Sequence, residues 1–171
     1  PAAGTDPAPL AWAGGALFAG DYKTALEKRP AADAPEGRVF DRLVDRQVMI
    51  LNSDAEEKLG RDNGPILRLC NLLRLACGLH PMVGNPKLHA AALEHSAWQD
   101  AHKQMTHNRP EATHRTFVER DKLQGYAEPG GENISGITGL ESVWGWRADA
   151  GHHRNLIKPE WRAVGIAQSG K

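Results

Sequence analysis

The sequence predicts an α+β fold in which helices dominate and a strand lies near the C-terminal end. Apolar residues recur at three- and four-residue steps along several segments, which is the spacing of amphipathic helices. Glycine and proline residues separate these segments, and residues 161–167 alternate as a strand does. The 171 residues are enough for one domain with a hydrophobic core and an added segment.

Charge and hydropathy exclude some classes of function. The 21 basic and 21 acidic residues give a formal net charge of zero, so the sequence does not favour nucleic acid as a partner. No apolar run reaches the roughly 18–20 residues that a membrane span needs, so we expect no transmembrane segment. The start of the chain is rich in proline and alanine and lacks the charged first region of a signal peptide.

The two cysteines are not expected to form a disulfide with each other. Cys70 and Cys77 lie seven positions apart on one predicted helix, which separates their Cα atoms by about 10.5 Å. A disulfide requires less than about 7 Å. We expect both to be buried, small apolar groups, and they do not indicate a redox compartment.

Residues 1–64 are predicted to form a mostly helical N-terminal extension. A first helix is expected over residues 11–28, and the proline-containing segment 29–37 is expected to be a linker. Apolar residues at mixed three- and four-residue steps then predict a helix over residues 38–59.

Two further helices and a loop follow. A helix over residues 66–77 should end at Gly78, and Asn85-Pro86 should open the next helix. On that helix, His95 lies on the apolar face, where an imidazole bonded to the backbone is expected. Residues 106–115 should form a loop.

The remaining segments predict a short charged helix, a turn and a tryptophan-rich helix. The two helices are expected over residues 116–124 and 139–148, with a turn-rich stretch between them. Three tryptophans are expected in the core: Trp144, Trp146 and Trp161.

Six motifs occur in an order that resembles bacterial domains of the CAP superfamily, which includes cysteine-rich secretory proteins, antigen 5 and pathogenesis-related 1 proteins. They are Asn71-x-x-Arg74-x-x-x-Gly78-Leu79-x-Pro81-Met82; Pro86-Lys87-Leu88 with His95-Ser96; Met105-Thr106-His107; Phe117-x-x-Arg120 with Gly125-Tyr126; Gly131-Glu132-Asn133-Ile134; and Trp146 to Asn155. Each motif is weak alone, and their common order makes the resemblance specific. It covers residues 65–171.

The resemblance implies a fold more detailed than the periodicity does. It implies a three-layer α-β-α sandwich with a small, mostly antiparallel sheet over residues 65–171. The family usually continues into a further strand containing Tyr/Trp-Trp-x-x-x-Phe, and this chain stops at Lys171, before such a strand. Residues 1–60 match nothing in the family pattern.

The resemblance also implies a central cavity lined by two histidines and two acidic residues. Carried over position by position, these are His107, Glu132, Asp149 and His152. The implied metal ligands are His107 and His152, which would hold zinc or another divalent ion weakly, because stable zinc sites have three or four protein ligands. Asn133 and His153 would lie beside the cavity. A purely structural role for Glu132, as an anchor of its loop, stays open.

Three functions follow as hypotheses. The leading one is a binding module, secreted or in the cell envelope or periplasm, whose cavity holds a divalent ion and whose nearby grooves hold a lipid, a small ligand or a protein partner. The second is a metal-assisted hydrolase of peptides or envelope polymers with Glu132 as general base. The third is a structural adhesion or scaffold domain. A serine hydrolase is not indicated, because nothing singles out one of Ser96, Ser135 or Ser142 as a nucleophile.

Overall fold

The computed structural model describes residues 35–59 and 62–169, and the helix predicted over 11–28 lies outside them. The α-helices, with a 3-10 turn at Ala112–His114, are α1 Pro35–Leu59, α2 Asn63–Ala76, α3 Pro86–His102, α4 Phe117–Leu123, α5 Glu141–Ala148 and α6 Ala150–Leu156. The strands are β1 Val83–Gly84 and β2 Ala163–Val164. The helix-dominated α+β class is therefore confirmed. The predicted linker over 29–37 is wrong at its end, because α1 already begins at Pro35.

The chain divides into two compact units, residues 1–51 and 52–171, and the boundary falls inside α1. In the first unit, Phe40, Val44 and Val48 are completely buried. Their four-residue spacing places them on one face of the helix. Burial of such side chains is the main stabilising term for a helix of this kind, at roughly 1.5–3 kcal/mol each.

The second unit has its core where α2, α5, α6 and the segment after β2 meet. The buried residues of this core are Ile66, Leu67, Cys70, Val143, Leu156 and Ile166. Burial raises the pKa of the Cys70 thiol to about 12, so this thiol is inert at neutral pH. Cys70 and Cys77 are both free thiols, as predicted, but the expectation that Cys77 is buried is wrong. Cys77 lies just past the end of α2, where the chain turns outward at Gly78, whose φ is +72°.

Two asparagines connect the helices to the start of the sheet. Asn71 donates to the Met82 carbonyl at 2.9 Å and accepts from the Met82 N–H at 2.8 Å. Asn52 donates to the same carbonyl and accepts from the Gly84 N–H, both at 2.8 Å. These bonds pair backbone groups of Met82 and Gly84 that have no partner in the neighbouring strand. Side chains therefore hold β1 in place.

The sheet in the described residues is a parallel pair, with Val83 opposite Ala163 and Gly84 opposite Val164. The expectation of a mostly antiparallel sheet is wrong for this pair, and the strand predicted over 161–167 is only two residues long. The chain leaves β1 at once because Asn85 caps α3, accepting from the Lys87 N–H at 2.9 Å.

The backbone just after β2 lies very close to the backbone of α3. A Cβ atom at Gly165 would lie 2.1 Å from the Leu88 carbonyl carbon, so only glycine allows α3 to lie this close. The helix thus packs directly against the residue that follows β2.

The three tryptophans that were predicted to lie in the core divide into two groups. Trp146 and Trp161 are half-buried and each donates its indole N–H, to the Ile134 carbonyl and to Asn155 Oδ1 respectively, both at 2.9 Å. Trp144 is 54% exposed, so its predicted core position is wrong. Among the described residues, no helix is long and apolar enough to cross a membrane.

Candidate functional site

His107 and Glu132 form the first of two imidazole–carboxylate pairs. His107 Nδ1 lies 2.8 Å from Glu132 Oε2, and Nδ1 must be the donor because an ionised carboxylate only accepts. In the neutral imidazole this leaves the lone pair on Nε2. The His107 side chain is 47% exposed while that of Glu132 is 16% exposed, so the carboxylate is the more buried member of the pair.

A buried arginine holds the other side of this carboxylate. Arg120 Nη2 donates to Glu132 Oε1, and Arg120 Nη1 donates to the carbonyls of His107 and His114 at 3.1 Å each. Arg120 itself is only 2% exposed. One guanidinium therefore binds both Glu132 and the backbone of its partner His107, which fixes the pair as a unit.

Asp149 and His152 form the second pair, at the start of α6. Asp149 is the N-cap of this helix and accepts from the N–H groups of Gly151 and His152 at 2.9 and 2.8 Å. The bond from the His152 N–H is the main reason that the pKa of Asp149 is lowered. His152 Nδ1 lies 3.4 Å from Asp149 Oδ1, so the helix cap also orients the ring.

The residue after Glu132 connects the two pairs. Asn133 donates to the His152 carbonyl at 3.1 Å and accepts from Asn155 Nδ2 at 3.0 Å. A Cβ atom at Gly131 would lie 2.5 Å from Asn155 Oδ1, which explains the glycine that precedes Glu132. The loop 131–134 is thus anchored at successive residues, and the two pairs are joined through Asn133.

His95 lies beneath the first pair and has a structural role. Its Nδ1 accepts from Arg109 Nε at 3.0 Å, so its Nε2 carries the proton and donates to the Thr106 carbonyl at 2.8 Å. Burial is the main reason that the pKa of His95 is lowered, which favours this neutral form. The prediction of a buried imidazole bonded to the backbone is confirmed.

Arg109 is a second buried cation in this region. Its side chain is 3% exposed, and its Nη1 donates to Glu94 Oε1 at 2.6 Å. Its guanidinium also lies over the Trp98 ring, 5.2 Å from the centroid. Through His95, Arg109 fixes the carbonyl of Thr106, which immediately precedes His107.

The charge of Glu132 acts on a second carboxylate, that of Asp121. Burial and then the negative charge of Glu132 raise its pKa from 3.8 to about 6, against the opposing effect of Arg120. Asp121 therefore takes up its proton more readily in the folded chain than in the unfolded chain. Its contribution to stability is present below pH 3.8 and is lost as the pH rises through 6.

We expect an Asp121→Asn variant to be more stable than the native chain at pH 7.5. The amide removes a half-buried charge that Glu132 repels, and the gain should be about 1 kcal/mol, because the exposed half of the group is screened by solvent. Urea unfolding at pH 7.5 and pH 4 measures this, and the gain should disappear at pH 4. The exposed Glu160→Gln is the matched control and should change neither value. A gain of equal size at both pH values would contradict the charge explanation.

The donor set does not fit a firmly held metal ion. In residues 35–59 and 62–169, no group of three or more His, Cys, Asp or Glu side chains is placed to hold one. The predicted site residues are joined as His107 with Glu132 and Asp149 with His152, and each carboxylate is already bonded within the protein. Stable zinc sites need three or four protein ligands, which this arrangement does not supply.

The serines do not complete a nucleophilic site. Ser142 Oγ donates to the Gly139 carbonyl at 2.7 Å, and Ser135 Oγ accepts from the Ile137 N–H at 3.0 Å. Ser96 Oγ lies 3.5 Å from the Ala167 carbonyl. Each hydroxyl is thus bonded to backbone, whereas nucleophilic catalysis requires a hydroxyl beside a base. The two residues expected beside the cavity, Asn133 and His153, are both half-buried; Asn133 bonds the His152 carbonyl, and His153 follows His152 on α6.

Four apolar side chains that are close in sequence to His107 or Glu132 are exposed. Met105 is 65% exposed and lies two residues before His107, and its Sδ would be 3.3 Å from a Cβ atom at Gly136. The next residue, Ile137, is 56% exposed. Leu140 and Trp144 are 42% and 54% exposed and lie one helical turn apart. We call these four residues the apolar border; exposed apolar residues mark a binding surface when they form one contiguous patch rimmed by polar groups.

Sequence reasoning missed three side chains that organise the site. They are Arg109, Arg120 and Asp121. None of them belongs to the cavity that the resemblance implies, and only Arg120 belongs to one of the six motifs. The arginine in Phe117-x-x-Arg120 was a usable signal, because a buried arginine requires an acceptor nearby. No local signal indicated Arg109 or Asp121, whose partners lie elsewhere in the chain.

Comparison with known proteins places the second unit in a family. The family model described as CAP, the cysteine-rich secretory protein family, matches residues 67–170. A search of curated proteins gave no match. An extracellular protein containing an SCP domain from Bacillus anthracis str. Ames, solved by crystallography at 1.5 Å, matches in structure with a TM-score of 0.60 and 21% sequence identity.

That structural match covers 64% of this chain and 37% of the Bacillus anthracis chain, so it compares one domain with part of a longer protein. At this identity the likeness concerns the fold alone. The family match, in contrast, spans more than half of the chain and includes both imidazole–carboxylate pairs. The chain therefore belongs to the CAP family.

Proposed function

We propose that this chain is a non-catalytic binding domain of a protein that works outside the cytoplasm, secreted or held in the cell envelope. The observation that carries the proposal is that the polar groups of the site bond to one another. Glu132 has one oxygen on Arg120 and the other on His107, so each oxygen already accepts a hydrogen bond within the protein.

The extracellular setting rests on the family. The family takes its name from secretory proteins, and the structural relative is described as an extracellular protein. The proposed location is therefore an inference from relatives, and the ligand is inferred from this chain's own surface.

The proposed ligand is amphiphilic: a lipid, or a protein partner that presents an apolar segment. Its apolar part would lie on the apolar border, where Met105, Ile137, Leu140 and Trp144 expose 42–65% of their surface. Its polar part would meet the exposed edge of His107. Covering such a patch removes several hundred Å² of apolar surface from water, which suits a single acyl chain or one short segment of a partner.

We expect a single-chain fatty acid, added below its micelle concentration, to shift the emission of Trp144 to shorter wavelength in a saturable way. Trp144 is 54% exposed, so a bound apolar chain would remove water from its ring. A Trp144→Phe variant supplies the background from the other tryptophans. Replacing Ile137 and Leu140 with glutamine should weaken binding by about tenfold or more, since each loses most of its apolar contact.

Two results would contradict the proposal. Hydrolysis of an ester or peptide probe that is lost in His107→Ala would show catalysis. No saturable binding by native protein, with the fold intact by circular dichroism, would favour a structural domain. A zinc titration by calorimetry tests whether the site can hold a metal ion: with His107 and His152 as the proposed ligands, we expect weak binding that is lost when both are replaced by alanine.

A further inference from the structure

Two buried N–H donors lie where α3 meets the loop that carries His107, and neither has a hydrogen-bond partner among residues 35–59 and 62–169. They are Arg109 Nη2 and Trp98 Nε1. The Arg109 guanidinium lies over the Trp98 ring, with its central carbon 5.2 Å from the ring centroid, so both donors belong to one cluster. We call these two donors the donor pair.

The rest of each side chain is held in place, so the direction of the donor pair is set by the fold. Arg109 donates from Nε to His95 at 3.0 Å and from Nη1 to Glu94 at 2.6 Å. Because a guanidinium is planar, these two bonds also fix its third nitrogen, Nη2. The Trp98 ring stacks on His102, with the ring centroids 4.3 Å apart.

A carboxylate is the acceptor that suits the donor pair. Most buried polar side-chain atoms in native proteins have a hydrogen-bond partner, because an unpaired donor has lost its water without a replacement. The Arg109 guanidinium is always charged, and its bonds to an anion are stronger than bonds between neutral groups. One carboxylate also has two oxygens, so it can accept from both donors at once.

Glu111 is placed to supply this carboxylate, since it lies two residues after Arg109 and its side chain is exposed. A bond from its own backbone N–H is the main reason that the pKa of Glu111 is lowered. The Trp98 indole, Arg109 and His102 lower this pKa further, against the opposing effect of desolvation. The carboxylate is therefore close enough to feel both members of the donor pair, although neither donor meets the geometry of a hydrogen bond with it.

The backbone on both sides of Glu111 is fixed, so only its side chain has to rotate. The Arg109 N–H donates to the Arg115 carbonyl at 2.9 Å, and the His114 N–H donates to the Glu111 carbonyl at 3.0 Å. The Glu111 side chain makes no capping bond to the 3-10 turn that it precedes. Rotation of an exposed side chain takes picoseconds to nanoseconds, so no barrier of the fold opposes it.

We infer that the Glu111 carboxylate closes onto the donor pair, with one oxygen accepting from Arg109 Nη2 and the other from Trp98 Nε1. In this closed form the side chain ties the loop that carries His107 to helix α3. The inference uses none of the four residues of the apolar border and does not depend on the ligand proposed for them.

Closure would complete a network that reaches the candidate site. Arg109 would be bonded at all three nitrogens, and through Nε it already holds His95. His95 in turn donates to the Thr106 carbonyl at 2.8 Å, immediately before His107. Glu111 would therefore act on the position of His107 without contacting it, and loss of its carboxylate should make the loop more mobile.

The test follows the Trp98 indole N–H of the full chain by proton–nitrogen correlation NMR at pH 7.5. Its signal is assigned by contacts to its own backbone and by its loss in Trp98→Phe. We expect a downfield indole proton in the native chain, because its partner is an anion. In Glu111→Ala the signal should move upfield and its exchange with water should become about tenfold faster. Glu111→Gln keeps one acceptor oxygen and should fall between the two.

Backbone hydrogen exchange tests the effect on the loop. Glu111→Ala should speed the exchange of residues 105–115 about tenfold and leave that of α2 unchanged, because α2 lies outside the network. Glu160→Ala removes an exposed carboxylate elsewhere and is the matched control, which should behave like the native chain in both measurements. Circular dichroism confirms that each variant stays folded.

Three outcomes would overturn the inference. The Trp98 signal and its exchange are the same in the native chain, Glu111→Ala and Glu111→Gln, which would mean that water satisfies the donor pair. Glu160→Ala changes them as much as Glu111→Ala does, which would indicate a general effect of charge. The Trp98 signal responds to Glu111→Ala while exchange of residues 105–115 does not, which would mean that closure does not hold the loop.

Discussion

An Arg74→Met variant should lose about 3–5 kcal/mol of folding stability, a large part of the 5–15 kcal/mol typical of a domain. The Arg74 guanidinium is fully buried and bonds to the backbone carbonyls of four residues. These carbonyls belong to His80, Leu156, Lys158 and Trp161, at 2.8–3.2 Å. Methionine fills similar volume but leaves all four oxygens without this donor, and each buried unpaired group costs about 1–3 kcal/mol unless the chain rearranges.

Urea unfolding monitored by tryptophan fluorescence measures the loss. Arg115→Met is the matched control, since Arg115 is exposed and its replacement should stay within about 0.5 kcal/mol of the native value. Arg74→Lys should fall between the two, because an ammonium keeps the charge but cannot reach four carbonyls in a planar fork. Equal stability of Arg74→Met and Arg115→Met would show that water or other donors replace the guanidinium.

The helices were predictable from the sequence because their signals are local. The helix over 38–59 was found as α1, and Asn85 opens α3 by bonding N–H groups within its own first turn. The capping box at Thr116 and Glu119 likewise starts α4 from residues three positions apart. Capping, glycine stops and apolar periodicity all act over a few residues, so reading them does not require knowledge of the fold.

The sheet was not predictable in the same way. Pairing depends on residues far apart in sequence, and β1 ends because α3 begins directly after it. The contact between Gly165, which follows β2, and the Leu88 backbone joins segments more than 70 positions apart. Trp144 and Cys77 were predicted to be buried because they are apolar, and both are exposed. Hydrophobicity predicts burial only on average, and a shift of one position along a helix can move a side chain from the buried face to the exposed face.

The site positions came from motif order, and their partners came only from the structure. His107 and Glu132 are 25 positions apart and meet at 2.8 Å. The motifs contained His107 and Glu132. They did not indicate that Arg120 donates to the Glu132 carboxylate and to the carbonyls of His107 and His114. Long-range ion pairs leave no periodic signal, so the sequence indicated which residues line the site without indicating which of them are already bonded.

Removing Arg120 should be the second most damaging change, with Arg120→Met costing about 3 kcal/mol. Glu132 would keep its charge at 16% side-chain exposure without a cation, and the carbonyls of His107 and His114 would lose their donor. The loop that carries His107 should then become mobile. Hydrogen exchange over residues 105–115, compared with the native chain, measures that local effect separately from global unfolding.

A double-mutant cycle distinguishes a charge effect from a packing effect. Glu132→Gln alone removes the charge but leaves Arg120 buried without its anion, so it should also destabilise. The double variant Arg120→Met with Glu132→Gln should be more stable than the sum of the single losses predicts, because neither buried charge is then left without a partner. Additive losses would show that the two residues stabilise the fold independently. The pair would then be two separate anchors of the loop, and the closed arrangement of Glu132, on which the non-catalytic proposal depends, would lose its energetic basis.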